Sequence, residues 1–299
     1  MIQLQTDHYF HIGKAHLTGG KPCQDYAISQ VYNQAAFAIV NDGCSSGGQT
    51  DIGARILALT TINALKQYWQ INGLTQTNQA IPEITLNQKI KLASAQQLLG
   101  LQPNDMLATC LYAFMTAQGG FVHILGDGVL ALKFTDQSIQ MYCYEWLDNR
   151  PFYPAYANGQ LNNFITSHGS DLQALRMTEE VWQYTAAQEL KPFTTNQYSL
   201  SQGLKGITID IAKPHFLIAP ELEYIALFSD GVTQINNVNW QEAVVEFLQF
   251  KNTKGEFAKR RMIRGIHNMQ KEDKGPLDDI AYAVIRLIQT QEEVIANDS

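Results

Sequence analysis

Aspartates stand next to short apolar runs of the chain, and they are the residues best suited to carry chemistry. Three of them are directly followed by glycine. A carboxylate at the end of a buried strand is held rigidly, and a following glycine lets the backbone approach a ligand closely. The aspartates at such positions are Asp25, Asp42, Asp127, Asp230 and Asp278, with Asp279 next to the last of them.

Several carboxylates that converge would form a hard, oxygen-rich site, which suits Mg²⁺ or Mn²⁺. Two such ions about 4 Å apart can lower the pKa of a shared water and clamp a phosphoryl group. Zinc chemistry is not favoured, because the 7 histidines and 4 cysteines form no HxH, HExxH or CxxC pattern. The alternative is that Asp-Gly is ordinary turn chemistry, which would explain each pair taken alone.

The elements that must position these carboxylates are short strands separated by turns, with helices between the groups of strands. Helical spacing of apolar residues predicts helices over 50–69, 86–99, 240–250 and 256–269. The predicted strands cover 25–31, 35–40, 108–116, 120–125, 129–134, 139–144, 221–228 and 280–288. Their short turns imply antiparallel pairing, and strand groups alternating with helix pairs indicate an α+β layered fold.

Composition narrows the class of protein. With 299 residues, 45% hydrophobic and 16% charged, the chain has a globular composition. It lacks an apolar run of the roughly 18 residues that a membrane span needs, and its first residues show no signal-peptide pattern. We therefore expect a cytoplasmic protein with no membrane partner. The net charge of −7 argues against nucleic acid as a partner, and we expect the basic residues 259–261 to form a solvated helix face.

The segment 146–220 has a weaker pattern and many aromatic residues, and it is too long for a connecting loop. We expect a single domain over 1–299 in which 146–220 is a variable, flap-like insertion. Its aromatic side chains either form a protein-binding surface that selects the substrate or pack into a small core of their own.

An ordered set of short motifs runs along the chain. The motifs are Gly13-Lys-Ala-His16, Cys23-Gln24-Asp25, Asn41-Asp42-Gly43, Ala108-Thr109, Gly126-Asp127-Gly128, Ser229-Asp230-Gly231 and Asp278-Asp279-Ile280. This set resembles the metal-dependent protein phosphatases of type 2C, and most of all their bacterial branch. The resemblance implies a four-layer α-β-β-α sandwich, in which helices flank two antiparallel sheets and the metals lie at one end.

The resemblance implies a role for each motif residue. Asp42 would bridge two Mn²⁺ or Mg²⁺ ions, with the Gly43 carbonyl as a further ligand. Asp230 and Asp278 would hold the first ion, Asp25 would lie at the same centre, and Asp127 would hold a weak third ion. The matching reaction is hydrolysis of phosphoserine and phosphothreonine by direct attack of a metal-bridging hydroxide, with Asp42 and Asp25 as catalytic residues. A phosphorylated protein is the implied substrate, and a cognate Ser/Thr kinase is a further candidate partner.

The implied substrate contacts are less regular. Thr109 matches a small hydroxyl residue near the site. The family commonly has an arginine five residues before Asp25, where this chain has Gly20. We expect Lys21 to hold the phosphate instead, with the alternatives Lys14, His16 and Arg55. The resemblance places His16 in the first strand, where it would orient a phosphate oxygen or serve as a structural histidine bonded to backbone.

Three further departures affect the metals and the leaving group. Gln24 replaces a frequent glutamate, and a neutral amide binds a hard cation more weakly. Cys44 stands where some members have a histidine acid, and Gln234 stands where some have another metal-binding aspartate. These departures keep two other readings open: a weakly active or inactive binding module of the same fold, and a phosphoesterase of small molecules.

Overall fold

A computed structural model describes residues 2–73, 77–159, 161–167, 176–212 and 217–289. Its longer strands form two antiparallel sheets. In chain order the strands are β1 Ile2–His11, β2 Tyr26–Tyr32, β3 Ala35–Asn41, β4 Cys110–Thr116, β5 Gly119–Leu125, β6 Gly128–Phe134, β7 Ile139–Trp146, β8 Arg176–Tyr184, β9 Leu190–Ser199, β10 Ile207–Ala212, β11 Leu222–Phe228, β12 Ile235–Asn236, β13 Gly275–Pro276 and β14 Ile280–Gln289.

The helices flank the strands in the chain and in space. They are α1 Lys14–Gly19, α2 Thr50–Asn72, α3 Thr77–Leu99, α4 Leu161–Ser167, α5 Leu200–Gly203, α6 Trp240–Phe247 and α7 Phe257–Gln270. The larger sheet has the strand order β1-β14-β11-β6-β7-β8-β9, and the smaller has the order β10-β5-β4-β3-β2. A two-stranded ribbon pairs β12 with β13.

Alternation along the strands divides the buried side chains into layers. On β3, Ala36, Ala38 and Val40 face the interior between the sheets, where they meet residues such as Ile225 and Ala283 of the larger sheet. Successive side chains of a strand point to opposite faces, so the intervening residues of β3 point outward. This pattern produces one core between the two sheets and a separate apolar surface on the outer face of each sheet.

The outer surfaces are covered by helices. Phe37 and Ile39 of β3 pack with Leu57 of α2, and α3 adds to the same cluster. On the other side, Phe228 and Tyr282 stack with ring centroids 4.5 Å apart beneath α6 and α7. The predicted α-β-β-α sandwich is therefore confirmed.

Differences from the sequence prediction concern elements with weak local signals. β1 was not predicted, because it is an edge strand that mixes polar and apolar residues and is held by pairing with β14. Helix α3 begins at Thr77 and contains Pro82, whereas periodicity predicted a start at residue 86. The Gly-x-x-His motif lies in α1 rather than in the first strand, and this expectation was wrong.

The described parts of 146–220 contribute to both sheets. β8 and β9 extend the larger sheet, and β10 forms an edge of the smaller one. The rings of Trp146, Phe152, Tyr156 and Phe164 pack together with centroids 5.2 to 5.9 Å apart and adjoin the core between the sheets. Residues 160, 168–175 and 213–216 of this segment lie outside the described ranges.

No helix within the described residues has the length and apolar character needed to cross a bilayer.

Candidate metal centre

Five of the predicted aspartates come from strand ends that adjoin one another. Asp25 and Asp42 flank the paired strands β2 and β3 of the smaller sheet. The strands β6, β11 and β14 are neighbours in the larger sheet. Asp127 precedes β6, Asp230 follows β11, and Asp278 precedes β14. Because β11 runs antiparallel to both neighbours, its last residue and their first residues lie at the same end of the sandwich.

The carboxylates are close enough to interact directly. The Asp42 carboxyl lies within hydrogen-bonding reach of both Asp25 and Asp230. Asp230 is also subject to the charge of Asp278, and Asp127 to the charge of Asp230. That these residues hold metal together stays a prediction.

Such a concentration of negative charge is unfavourable without a cation. Burial, the largest cause, raises the pKa of the Asp42 carboxyl well above its usual range, and the charges of Asp25 and Asp127 raise it further. The pKa of Asp230 is raised by burial and then by the charge of Asp42. For Asp25, burial is again the first cause, and the charges of Asp230 and Asp279 add to it.

The donor set fits divalent cations. Asp25 and Asp127 are each 3% exposed. Asp25 Oδ2 and Asp127 Oδ1 are buried and have no hydrogen-bond partner among the described residues. A buried carboxylate oxygen without a donor costs free energy unless a cation satisfies it. All five candidate side chains offer oxygen, which Mg²⁺ and Mn²⁺ prefer.

The loop after β3 is held in place by its neighbours. Thr109 is fully buried, and its hydroxyl accepts a hydrogen bond of 3.0 Å from the Asp42 N–H. The Thr109 N–H donates in return to the Asp42 carbonyl at 2.8 Å. In the structure Thr109 thus positions the Asp42 backbone. Gly43 is packed so closely that a Cβ there would lie 2.6 Å from the Gln24 carbonyl oxygen, so a side chain would displace the loop.

Asp279 connects the two ends of the chain at this site. Its Oδ1 accepts from the Gly13 N–H at 2.7 Å, and its Oδ2 accepts from the Gln24 N–H at 2.6 Å. His16 Nδ1 lies 2.7 Å from the same Oδ2. Asp279 is only 2% exposed, so these contacts replace its water. This carboxylate therefore fixes the segment 13–24 against the start of β14.

The departure at Gln24 has a structural use. Its Nε2 donates to the Thr50 hydroxyl at 2.7 Å, and that hydroxyl donates to the Cys44 carbonyl at 3.0 Å. The amide therefore links the segment before β2 to the loop 43–50. Its Oε1 is buried without a partner among the described residues and is a neutral oxygen near the acidic cluster.

The family follows from comparison with known sequences. The sequence model of the family described as Protein phosphatase 2C matches residues 12–262. That range contains the motifs of Asp25, Asp42, Asp127 and Asp230. The chain belongs to the protein phosphatase 2C family. It is accordingly a phosphoprotein phosphatase by family. No curated protein matches the sequence at a significant level.

Solved structures of bacterial phosphatases share the fold. The serine/threonine phosphatase Stp1 from Staphylococcus aureus is 13% identical with a TM-score of 0.53, covering 97% of this chain and 96% of that one. The S. agalactiae serine/threonine phosphatase is 12% identical with a TM-score of 0.51, covering 95% and 99%. PppA, a regulatory component of T6SS in Pseudomonas aeruginosa, is also 12% identical at 0.51, covering 95% and 98%.

In this member of the 2C family, the predicted phosphate-binding cations differ in their surroundings. Lys21 is exposed, and its Nζ lies 3.4 Å from the Ser45 carbonyl oxygen in the loop after Asp42. Arg55 stacks over the rings of Phe10 and Tyr26 at 5.4 and 5.0 Å. Lys21 is therefore the better placed of the two to reach a ligand at the carboxylates.

Sequence reasoning missed Arg176, the first residue of β8. A cavity of about 520 Å³ is lined by Asp127 and Asp230 on one side and by Arg176, Thr178 and Gln197 on another. The Arg176 guanidinium donates to Gln197 Oε1 at 2.9 Å, which orients it along the sheet. No local signal marks this arginine, because only the pairing of β8 with β7 brings it beside the centre.

Proposed function

We propose that this 2C-family phosphatase hydrolyses phosphoserine and phosphothreonine of cytoplasmic proteins with the help of two Mn²⁺ or Mg²⁺ ions. The observation that carries the proposal is the placement of five aspartates at one end of the sandwich, two of which, Asp25 and Asp127, have a buried carboxylate oxygen without a partner among the described residues. A site with this excess of negative charge repels a phosphate monoester unless cations neutralise it. The chemistry that the ions supply is activation of water and stabilisation of charge at phosphorus.

Each carboxylate has a place in the proposed centre. Asp42 would be shared between two ions, because it interacts with both Asp25 and Asp230. Asp230, Asp278 and the Gly43 carbonyl would hold the first ion, and Asp25 would lie at the same centre, where the ions would activate water. Asp127 would hold a third ion only weakly, because Gln234 donates to Asp230 Oδ2 at 3.0 Å where a further carboxylate would otherwise bind metal.

The chain itself supplies rigidity and substrate contacts. Thr109 and Asp279 hold the loops of Asp42 and Asp278, so the carboxylates are preorganised. We propose that Lys21 binds the phosphate group and that Arg176 binds the phosphopeptide beside it. Both cations adjoin the acidic centre. Within the single domain proposed for 1–299, the segment 146–220 thus contributes to substrate recognition. A Ser/Thr kinase that generates the substrate is the matching partner.

The first experiment is hydrolysis of a phosphothreonine peptide by metal-stripped protein that is titrated with Mn²⁺. We expect no activity without metal and activity that saturates with Mn²⁺, because the proposed reaction depends on water that the ions activate. Release of inorganic phosphate is the measurement. Calorimetry with Mn²⁺ alone is run in parallel to separate binding from turnover.

Two other outcomes would replace the proposal. Absence of both turnover and Mn²⁺ binding would favour a binding module built on the phosphatase fold, as the departures at Gln24 and Cys44 allow. Turnover of small phosphate esters without any preference for phosphopeptides would instead indicate a phosphoesterase of small molecules.

Replacement of Arg176 by alanine is expected to weaken substrate binding more than chemistry. Arg176 is exposed, and an exposed ion pair is worth about 0.2–1 kcal/mol, so we expect KM for the phosphopeptide to rise about two- to fivefold and kcat to change by less than about twofold. Initial-rate kinetics at saturating Mn²⁺ measure both constants.

The matched control is Lys191→Ala, which removes an exposed cation from the neighbouring strand β9. Its constants should equal those of the wild type. An unchanged KM in Arg176→Ala would exclude this arginine as a substrate contact.

A further inference from the structure

The side chain of His16 reaches the acidic centre. Its side chain is 8% exposed, and its Nε2 lies 3.8 Å from Asp278 Oδ1. His16, Asp278 and Asp279 together place one ligand atom each within 4.8 Å of the others. The three side chains have different partners, and these partners show which of them could bind metal and which support the others.

Asp279 is a supporting residue in this cluster. Both of its oxygens accept hydrogen bonds of 2.6 to 2.7 Å, from two backbone N–H groups and from His16 Nδ1. A carboxylate with these three donors is already satisfied. Because Asp279 can only accept, His16 Nδ1 carries the proton of that contact, and Nε2 is the atom left to bind a further group.

The surroundings of Nε2 leave it free for a cation. Within the described residues, no hydrogen bond is formed by this atom. Its distance of 3.8 Å from Asp278 Oδ1 is too long for a hydrogen bond. It still lets one ion lie within bonding distance of both atoms, since zinc–nitrogen and zinc–oxygen bonds are about 2.0–2.2 Å long and Mg²⁺–oxygen bonds about 2.0–2.1 Å long. An imidazole whose other nitrogen donates to a carboxylate is the usual arrangement of a metal-binding histidine.

We propose that His16 is a nitrogen ligand of the divalent-cation centre, beside Asp278, with Asp279 as the positioning residue that fixes its ring. This inference rests on the proposed cation centre of the phosphatase. It replaces the expectation that His16 contacts a phosphate oxygen, and it converts a purely oxygen donor set into a mixed one.

A mixed donor set changes metal preference. Imidazole nitrogen suits Zn²⁺, Fe²⁺ and Ni²⁺, whereas carboxylate and water suit Mg²⁺ and Mn²⁺. We therefore expect His16→Gln to weaken Ni²⁺ binding most, by at least about tenfold, because loss of even an orienting partner of a ligand costs 10–100-fold in affinity. Mg²⁺ affinity should change by less than about threefold. The alternative is that His16 is a cation paired with Asp278 and Asp279, with no bond to metal.

Pulsed electron paramagnetic resonance of the full chain with Mn²⁺ alone distinguishes these two roles. A directly bound imidazole gives ¹⁴N modulation of the Mn²⁺ echo. We expect this modulation in the wild type, its conversion to the ¹⁵N pattern after labelling with ¹⁵N-histidine, and its loss in His16→Gln. The labelled wild type needs no substitution, so the result stands even where the variant does not fold. The control is His267→Gln, which removes an exposed histidine of α7 and should keep the modulation.

The outcomes separate the ligand role from the proposed function. Mn²⁺ that binds without ¹⁴N modulation, or modulation that ¹⁵N-histidine or His16→Gln leaves unchanged, would overturn the role of His16 and leave the carboxylate centre standing. Failure of Mn²⁺ to bind, or binding that survives both Asp42→Asn and Asp230→Asn, would overturn the centre and the inference together.

Discussion

Asp42→Asn is expected to lower kcat for a phosphothreonine peptide by at least about 10³-fold at saturating Mn²⁺. The substitution removes a carboxylate that interacts with Asp25 beside the smaller sheet and with Asp230 beside the larger one. Loss of a bridging ligand removes several kcal/mol of transition-state stabilisation, and about 4 kcal/mol corresponds to that factor. The amide keeps the size of the side chain, so the backbone bonds of Asp42 to Thr109 should persist.

The measurement is phosphate release over a range of Mn²⁺ and substrate concentrations, with circular dichroism to confirm that the variant is folded. Asp136→Asn is the matched control, because it removes an exposed carboxylate from the turn between β6 and β7. Its kcat should equal that of the wild type. Turnover by Asp42→Asn within tenfold of the wild type would refute the bridging role and with it the proposed mechanism.

Local signals made the positions of the carboxylates predictable. Asp42 and Asp230 each follow a run of apolar residues and precede glycine, so the strand, its end and the turn are all written within a few residues. These signals show at which strand end each carboxylate stands. Antiparallel pairing of the strands then brings the carboxylates to one end of the sandwich. The layered fold is predictable for the same reason, since strand alternation and helix periodicity are local properties.

Features that depend on distant parts of the chain were not predictable. β1 becomes a strand through its pairing with β14, which lies almost the whole chain away. Arg176 reaches the centre only because β8 pairs with β7. Asp279 could be seen as an acidic residue beside Asp278, but its role as acceptor for Gly13, His16 and Gln24 required the packed structure.

The departure at Gln24 illustrates how a substitution can move a residue from one task to another. A glutamate there would add a charge to the centre, whereas the amide donates to Thr50 and holds the loop that carries Gly43. A donor of this kind is available from glutamine but not from an ionised glutamate. Glutamine at position 24 therefore lowers the negative charge of the centre and at the same time makes the loop of Gly43 more rigid.

The acidic centre should also affect the free energy of unfolding. We expect Asp42→Asn to stabilise the protein without metal and to leave it less stable than the wild type with Mn²⁺. Without metal, the variant should unfold at a higher denaturant concentration than the wild type. Burial and the charges of Asp25 and Asp127 raise the pKa of Asp42, so its ionised form costs free energy of folding at neutral pH, and the neutral amide removes that cost. Functional sites commonly lower stability in this way.

With Mn²⁺ the order should reverse. An ion that binds only the folded protein stabilises it by about 2.7 kcal/mol at 100 times its dissociation constant, and two ions add further. The wild type gains this free energy, whereas the variant has lost the shared ligand and gains far less. Urea unfolding in chelator and in excess Mn²⁺ measures both differences, with Asp136→Asn again as the control. Equal stability of the two proteins in chelator would show that the carboxylates do not repel one another, and the case for a cation centre would lose its physical basis.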